Sequence, residues 1–298
     1  MPTVYLIDAS PYIFRAYFAL PTTITSPDGF VNNAVYGYTD FLIQILKKEN
    51  PTHIAVTFDG SLTTSFRNEI YPDYKANRSL PPIELEDQLD ACFQVTEAMG
   101  MPAFIDDKYE SDDIIGTFTN MLLKNNFNVV IVSSDKDFAQ LINTKVLLFD
   151  YARNQWYDEK KVEQKFGVPP KQIIDFIALA GDAVDNIPGV KGIGPKTAST
   201  LLNHFSSVEE IYKNLDNLEK LSIRGIQSIK KKLIADKEMA LISKTLATIA
   251  IDAPVEVDLC SLEYRGPNQK QIEKIFIEHG FDALKERILK RNELTEMG

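Results

Sequence analysis

The chemistry of this chain has to be sought in its acids. Asp8 follows the apolar run VYLI, Asp59 follows HIAVTF, and Asp135 with Asp137 follows VVIVSS. A fourth group, Glu110, Asp112 and Asp113, opens a helical pattern in the string ESDD. A fifth, Asp182 and Asp185, lies in GDAVDN, where a glycine closes an apolar helix. Singly, an Asp after a strand is a turn former or a cap, and acids in a first helical turn answer the helix dipole. Together they mean more. If the strands are parallel, their terminal acids share one edge, and three carboxylates within four residues repel unless cations neutralise them. His53, His204 and His279 are scattered, so the donors are hard oxygens, which suit Mg²⁺ or Mn²⁺. Nine carboxylates exceed what one octahedral ion uses, which implies two ions. Such a pair, roughly 3.5–4 Å apart, activates water and stabilises both oxygens of an in-line displacement at phosphorus. Dispersal of these acids, or a Lys or Arg neutralising each of them, would exclude this reading.

Three stretches carry basic residues of interest. Residues 188–198 read PGVKGIGPKTA, a tight turn feeding a helix N-terminus, where exposed amides with Lys191 and Lys196 suit a phosphate. The string, with Gly192 and Gly194, resembles a helix-hairpin-helix element, which grips a DNA backbone without reading bases. Arg67, Tyr74, Lys75 and Arg78 lie in and beside YPDYKANRSLPPIELE, residues 71–86, which has a Pro-Pro pair and no clean period. It reads as a mobile excursion whose cations and aromatic suit phosphate contact and base stacking. Lys230 to Lys232, with Arg224 near, read as a solvated helix face.

The elements that must hold these groups follow from periodicity. VYLI, HIAVTF, PAFI, VVIV and VLLF are each expected as a strand buried on both faces, alternating with helices marked by Leu42, Ile45 and Leu46, by Leu89, Phe93, Val95 and Met99, and by Ile114, Ile115, Phe118, Met121 and Leu122. After Val162 amphipathic segments dominate, at 172–180, 196–204, 226–235, 238–249 and 269–278. The division expected is an α/β core over 1–170, with an arch at about 71–90, and a helical DNA-binding part over 171–298 with its hairpin motif at about 186–204.

IDASPYIFRAY, VTFDG with FRNEIYPDYKANR, YESDD, SSDKDFAQL and GDAVDNIPGVKGIGPKTA resemble, in order and spacing, the 5'-3' exonuclease domain of bacterial DNA polymerase I, within the flap endonuclease superfamily. LSIRGIQSIKKKL and LISKTLATI extend the likeness over nearly the whole chain. The resemblance implies a mostly parallel, PIN-like sheet flanked by helices, followed by a helical part with an H3TH element. It implies a structure-specific 5' nuclease of DNA replication and repair that uses two divalent ions and leaves 5'-phosphate products at flaps, nicks and 5' ends. By the same likeness the nine acids are metal-site residues. Lys75 and Arg78 contact the scissile phosphate, Tyr74 stacks on a base, and Arg15 and Arg67 flank the site. The region of Lys191, Gly192, Gly194 and Lys196 holds duplex DNA, often with a K⁺ on loop carbonyls. RNA primers in RNA–DNA hybrids and a separate DNA polymerase are its expected partners, and the chain is expected to act as a monomer. Ala9 and Ser134 stand where the family usually has Gly, and Val184 where it has Ser. With the sequence ending at Gly298, a stand-alone exonuclease is expected, although a piece of a longer polymerase would read identically.

The 298 residues, 44% hydrophobic and 25% charged, suit a globular chain of one large or two ordinary domains. With 32 Lys and Arg against 42 Asp and Glu, the net charge of −10 argues against a nucleic-acid binder until the nine acids are set aside, which leaves −1. No apolar run approaches a membrane span and no secretory pattern opens the chain, so a cytoplasmic protein is expected. Cys92 and Cys260 read as buried free thiols. The absence of GxxxxGK[ST] disfavours an NTPase. Two rivals remain: an aspartyl phosphatase, which needs a second acid where Ser10 stands, and a module that binds branched DNA without cutting it.

Overall fold

The computed structural model describes residues 1–60, 64–221, 223–285 and 287–288; the end of the expected 171–298 part, from 289, and Ser222 of the LSIRGIQSIKKKL string lie outside them. Six strands form one sheet: β1 (Thr3–Asp8), β2 (His53–Asp59), β3 (Ala103–Asp106), β4 (Asn128–Val132), β5 (Val146–Asp150) and β6 (Gln155–Tyr157). Their order is β3-β2-β1-β4-β5-β6, parallel throughout except for the last pair. All five expected runs are strands. Growth of the sheet reverses between β1 and β4, the switch point outside which ligands bind in such sheets. Asp8 and Asp59 are the last residues of the neighbouring strands β1 and β2.

Period-two alternation divides the core between two faces. Val4, Leu6, Val129, Ile131, Val146 and Leu148 point one way; Ile7, Ile54, Val56, Val130, Val132 and Phe149 point the other. The second face is covered by α1 (Ser10–Ala19), α2 (Asn33–Glu49) and α4 (Ile83–Ala98), with the short α3 (Phe66–Ile70) between them in the chain. The first is covered by α5 (Ser111–Lys124), whose Ile114, Ile115, Phe118 and Leu122 are buried. The same core runs on into α6 (Glu159–Phe166), α7 (Ile173–Ala180), α8 (Pro195–His204), α9 (Val208–Lys213), α10 (Ile226–Ala235) and α11 (Lys237–Ala247). No helix is long and apolar enough to cross a membrane, among the described residues.

Four expectations need correction. β3 is an edge strand with nothing paired beyond it, so Ile105 is 52% exposed rather than buried on both faces. The segment 71–86 is a compact turn over 72–77 and α4 already begins at Ile83. Cys92 is buried but Cys260 is exposed on a surface turn. Helix α12 (Gln269–His279) belongs with the α/β core, because Ile272 and Phe276 pack with α4 on the second face. Elements α1, α3, α6, α9 and β6 were not anticipated, being short or lacking a clean period.

One loop matters to the site. After α7, Gly181 takes φ +73°, and Asp182 and Ile187 exchange backbone hydrogen bonds, each 2.8 Å. The loop closes on Gly189, at φ +62°, where a Cβ would stand 2.3 Å from the Gly181 nitrogen. Only backbone fits between the two glycines, and that contact turns Asp182 and Asp185 towards the strand ends. Gly189→Ala is therefore expected to lose roughly 2–4 kcal/mol in urea unfolding, from left-handed strain plus collision with backbone. Gly225→Ala, at φ +77° with open space around it, should lose only the strain, about 1–2 kcal/mol. Equal losses would show that the 181–189 contact is loose.

Candidate metal centre

The nine acids arrive on five segments of the chain, and several are held by short hydroxyl or amide contacts. Asp8 is buried at the end of β1 and accepts from Ser133 Oγ at 2.7 Å and Ser111 Oγ at 3.1 Å. Asp59 accepts from Ser10 Oγ at 2.8 Å and from the Ser111 amide at 3.0 Å. The start of α5 thus ties β1 and β2 together through one serine. Asp135 accepts from the Asp137 amide at 2.8 Å, and Asp182 from the Val184 amide at 2.9 Å. Val184 contributes its backbone to that contact while its side chain is exposed.

The electrostatics show that the acids converge. Burial, then Asp59 and Asp135, push Asp8 up to about 7. Burial, then Asp135 and Asp8, push Asp112 well above the usual carboxylate range. Burial, then Asp135, Asp185 and Asp182, do the same to Asp137, and burial with Asp185 raises Asp135. Two overlapping groups result: Asp8, Asp59, Asp112 and Asp135, and then Asp135, Asp137, Asp182 and Asp185. Oδ1 of Asp137 is buried and has no hydrogen-bond partner.

Four of the nine acids carry Lys or Arg partners: Glu110 and Asp113 with Arg67, Glu110 also with Lys75, Asp185 with Arg78, and Asp182 with Lys136. Among the described residues the other five have no such ion pair. Nor, among those residues, is any group of three or more drawn in tightly enough to form a ready-made ion cage. Donor type fits a hard divalent ion, and the orphaned Asp137 oxygen offers it a free ligand. The cations already present hold the acids in their compensated arrangement.

Asp113 is fully buried, and both its oxygens are used. Arg67 grips them at 2.7 and 2.8 Å, while the Glu110 and Ala250 amides donate at 3.2 and 2.8 Å. Arg67 is not a surface cation beside the site. It is buried and directs its remaining N–H groups to Glu110 and to the Leu246 and Thr248 carbonyls, leaving none for DNA. Tyr74 has no face open to a base in this arrangement: its ring is buried and its hydroxyl donates to Glu110 at 3.1 Å. Arg15 is exposed on α1. Lys191, Gly192, Gly194 and Lys196 are all exposed around the start of α8. Lys232 Nζ donates to the Gly192 carbonyl at 2.9 Å, so an ammonium of the chain already meets the loop on which a K⁺ is expected. Reading the sequence for acids missed the orienting Ser10, Ser111 and Ser133, and also Lys136. Only the last had a signal, its place between two acids.

The model of the 5'-3' exonuclease N-terminal resolvase-like domain matches residues 3–167, and that of the 5'-3' exonuclease C-terminal SAM fold matches 168–270. The chain belongs to the 5'-3' exonuclease family. DNA polymerase I of Bacillus subtilis (strain 168) is 40% identical over 95% of this chain, and that of Streptococcus pneumoniae strain R6 is 38% identical over 95%. Each match covers 32% of the relative, so the chain spans about a third of the length of these curated relatives. Among solved structures, T5 5'-exonuclease with bound zinc aligns at TM-score 0.67 and 20% identity, over 93% of this chain and 99% of that one. The catalytic core of Rad2 with DNA substrate aligns at 0.64 and 16%, over 97% and 92%. These neighbours share the fold.

The raised Asp8 gives a pH signature. Its pKa in the folded state lies above the unfolded value, so the fold prefers the protonated acid: stability is highest below about pH 4 for this group and falls as pH rises through about 7. Without divalent ions, Asp8→Asn should therefore melt higher than wild type at pH 8, with the gap narrowing towards pH 6. A gap that is absent, or that widens on acidification, would contradict the convergence.

Proposed function

We propose that the chain is a structure-specific 5' nuclease that hydrolyses DNA phosphodiester bonds at 5' flaps, nicks and 5' ends and leaves 5'-phosphate products. What carries this reading is the convergence of acids from five separate segments on the switch point, with one buried oxygen left unpartnered. Two Mg²⁺ or Mn²⁺ ions would be held by Asp8, Asp59, Asp112 and Asp135, and by Asp135, Asp137, Asp182 and Asp185, with Glu110 at their margin. Such ions supply a water of lowered pKa and charge compensation at phosphorus. Asp113, with both oxygens saturated, is assigned as the anchor of Arg67 rather than a ligand.

The chain's own residues do the rest. Ser10, Ser111 and Ser133 fix the rotamers of Asp8 and Asp59, so the first acid group is preorganised. Lys75 and Arg78, resting on Glu110 and Asp185, stand above the acids, where a scissile phosphate would take their charge. The amides at the start of α8, with Lys191 and Lys196, hold the duplex backbone behind the cut. Support comes from the family, from T5 flap endonuclease solved with DNA and metal ions, and from the Rad2 core solved with DNA substrate. On this reading the chain works in DNA replication and repair, in the cytoplasm, with RNA primers among its substrates and a DNA polymerase as partner. The phosphatase rival loses ground, because Ser10 donates to Asp59. A module that binds without cutting draws support from the ion-paired acids.

A 5'-labelled flap, a nicked duplex and a single strand, each incubated with Mg²⁺, Mn²⁺ or chelator, separate the two. Cleavage should need the ion and prefer the flap; binding with no product in either ion would leave the binding module. Asp112→Ala and Asp182→Ala should each abolish cleavage while the folded protein still binds flap DNA; wild-type cutting by either would defeat the ligand assignment. Lys75→Ala and Arg78→Ala should each slow single-turnover cleavage on the order of 10- to 1,000-fold, and unchanged rates would remove them from the phosphate.

A further inference from the structure

Lys136 stands between Asp135 and Asp137 and has no part in the steps above. Its ammonium is 2.7 Å from Oδ2 of Asp182, an acid that is buried, while the lysine keeps 39% of its side chain exposed. Asp182 is fixed by its loop and by the Val184 amide; the lysine has a flexible four-carbon stem. If the pair opens, the lysine is the member that moves. Lys136 also lines a cavity of about 420 Å³, walled by Phe166, Ile173 and Ile177 and shared with Asp137, Lys165 and Lys196. One ammonium thus has two environments within reach, the Asp182 carboxylate and a cavity beside the start of α8 where three lysines meet one acid. Three lysines outweigh the single Asp137 carboxylate there, so an anion entering the cavity favours the turn of Lys136 towards it.

We propose that Lys136 is the internal counter-cation of the second acid group: a divalent ion arriving among Asp137, Asp182 and Asp185 displaces its ammonium, which turns into the neighbouring cavity and joins Lys196 in holding a phosphate of the bound strand. The proposal rests on the two-ion reading. It makes ion and DNA binding reciprocal, since the ion releases the charge that the phosphate takes up, and the phosphate eases entry of the ion.

The test titrates Ca²⁺ into the full chain without DNA by calorimetry, for wild type, Lys136→Met, Lys136→Arg and Lys165→Met. Removing one positive charge a few ångströms from a dication is worth on the order of ten-fold in affinity at a water-like dielectric. Lys136→Met should therefore bind the weaker ion on the order of ten-fold more tightly, with Lys136→Arg and Lys165→Met close to wild type. The gain in flap-DNA affinity caused by Ca²⁺, read by anisotropy at constant ionic strength, should shrink in Lys136→Met. Equal Ca²⁺ affinity in wild type and Lys136→Met overturns the proposal and leaves two ions standing. An equal rise in Lys165→Met shows a general field effect and also overturns it. No binding of Ca²⁺ by wild type or any variant overturns both readings.

Discussion

Asp8, Asp112, Asp135 and Asp137 are held where water screens them poorly, and neighbouring carboxylates raise the proton affinity of each. A fold that assembles such a group must compensate it, by protons, by internal cations or by bound ions. The arrangement contains the first two kinds of answer. The first acid group relies on hydroxyls and raised pKa values; the second relies on Lys136 and Arg78. That difference follows from position. Asp8 and Asp59 end neighbouring strands of a rigid sheet and cannot move apart, whereas Asp182 and Asp185 sit on a loop that side chains from the 71–86 turn and the β4 end can reach.

The buried ion-pair cluster around Arg67 solves a different problem. Arg67 belongs to α3, yet it joins Glu110 and Asp113 at the start of α5 to carbonyls at the end of α11, 179 and 181 residues away. A buried guanidinium with its donors satisfied and a buried carboxylate with its acceptors satisfied avoid the cost of isolated charges. The cluster therefore fixes α5, and with it Asp112, against the helical part of the chain. On the proposed function, cutting chemistry on one part and DNA grip on the other would need a constant relative placement, and this cluster is one polar link, beside that of Gln140 to Ala247 and Ile249, that supplies it.

How much of this was legible in the sequence depends on the range of the interaction. Strands were readable because burial on two faces forces long apolar runs, and a parallel sheet then places Asp8, Asp59 and Asp135 at one edge without further information. The Gly-rich string before α8 was readable because positive φ and backbone amides have a local residue signature. The partners were not. Whether Arg67 meets DNA or Asp113 depends on a contact across the fold that no local pattern encodes, and the burial of Tyr74 follows from that same contact. α12 was legible as a helix but not as part of the α/β core, because amphipathic period reveals an apolar stripe and not the surface it covers.

The turn over 72–77 shows what this long-range dependence does to the site. Lys75 adopts φ +56°, a left-handed conformation that costs a side-chain-bearing residue roughly 1–2 kcal/mol. The strain is held by contacts on both sides. The Lys75 amide donates to the Asp185 carbonyl at 3.0 Å, Asn77 Nδ2 donates to the Ala183 carbonyl at 2.8 Å, and Asn186 Nδ2 donates to the Asp73 carbonyl at 2.6 Å. The turn is therefore seated on the loop that carries the second acid group, with Arg78 paired to Asp185 of that loop and Lys75 paired to Glu110 beside it. On the proposed function, the cations that compensate these acids are also those that would meet a phosphate, so the charge that makes the acid cluster tolerable without ions would become available to substrate when ions replace it.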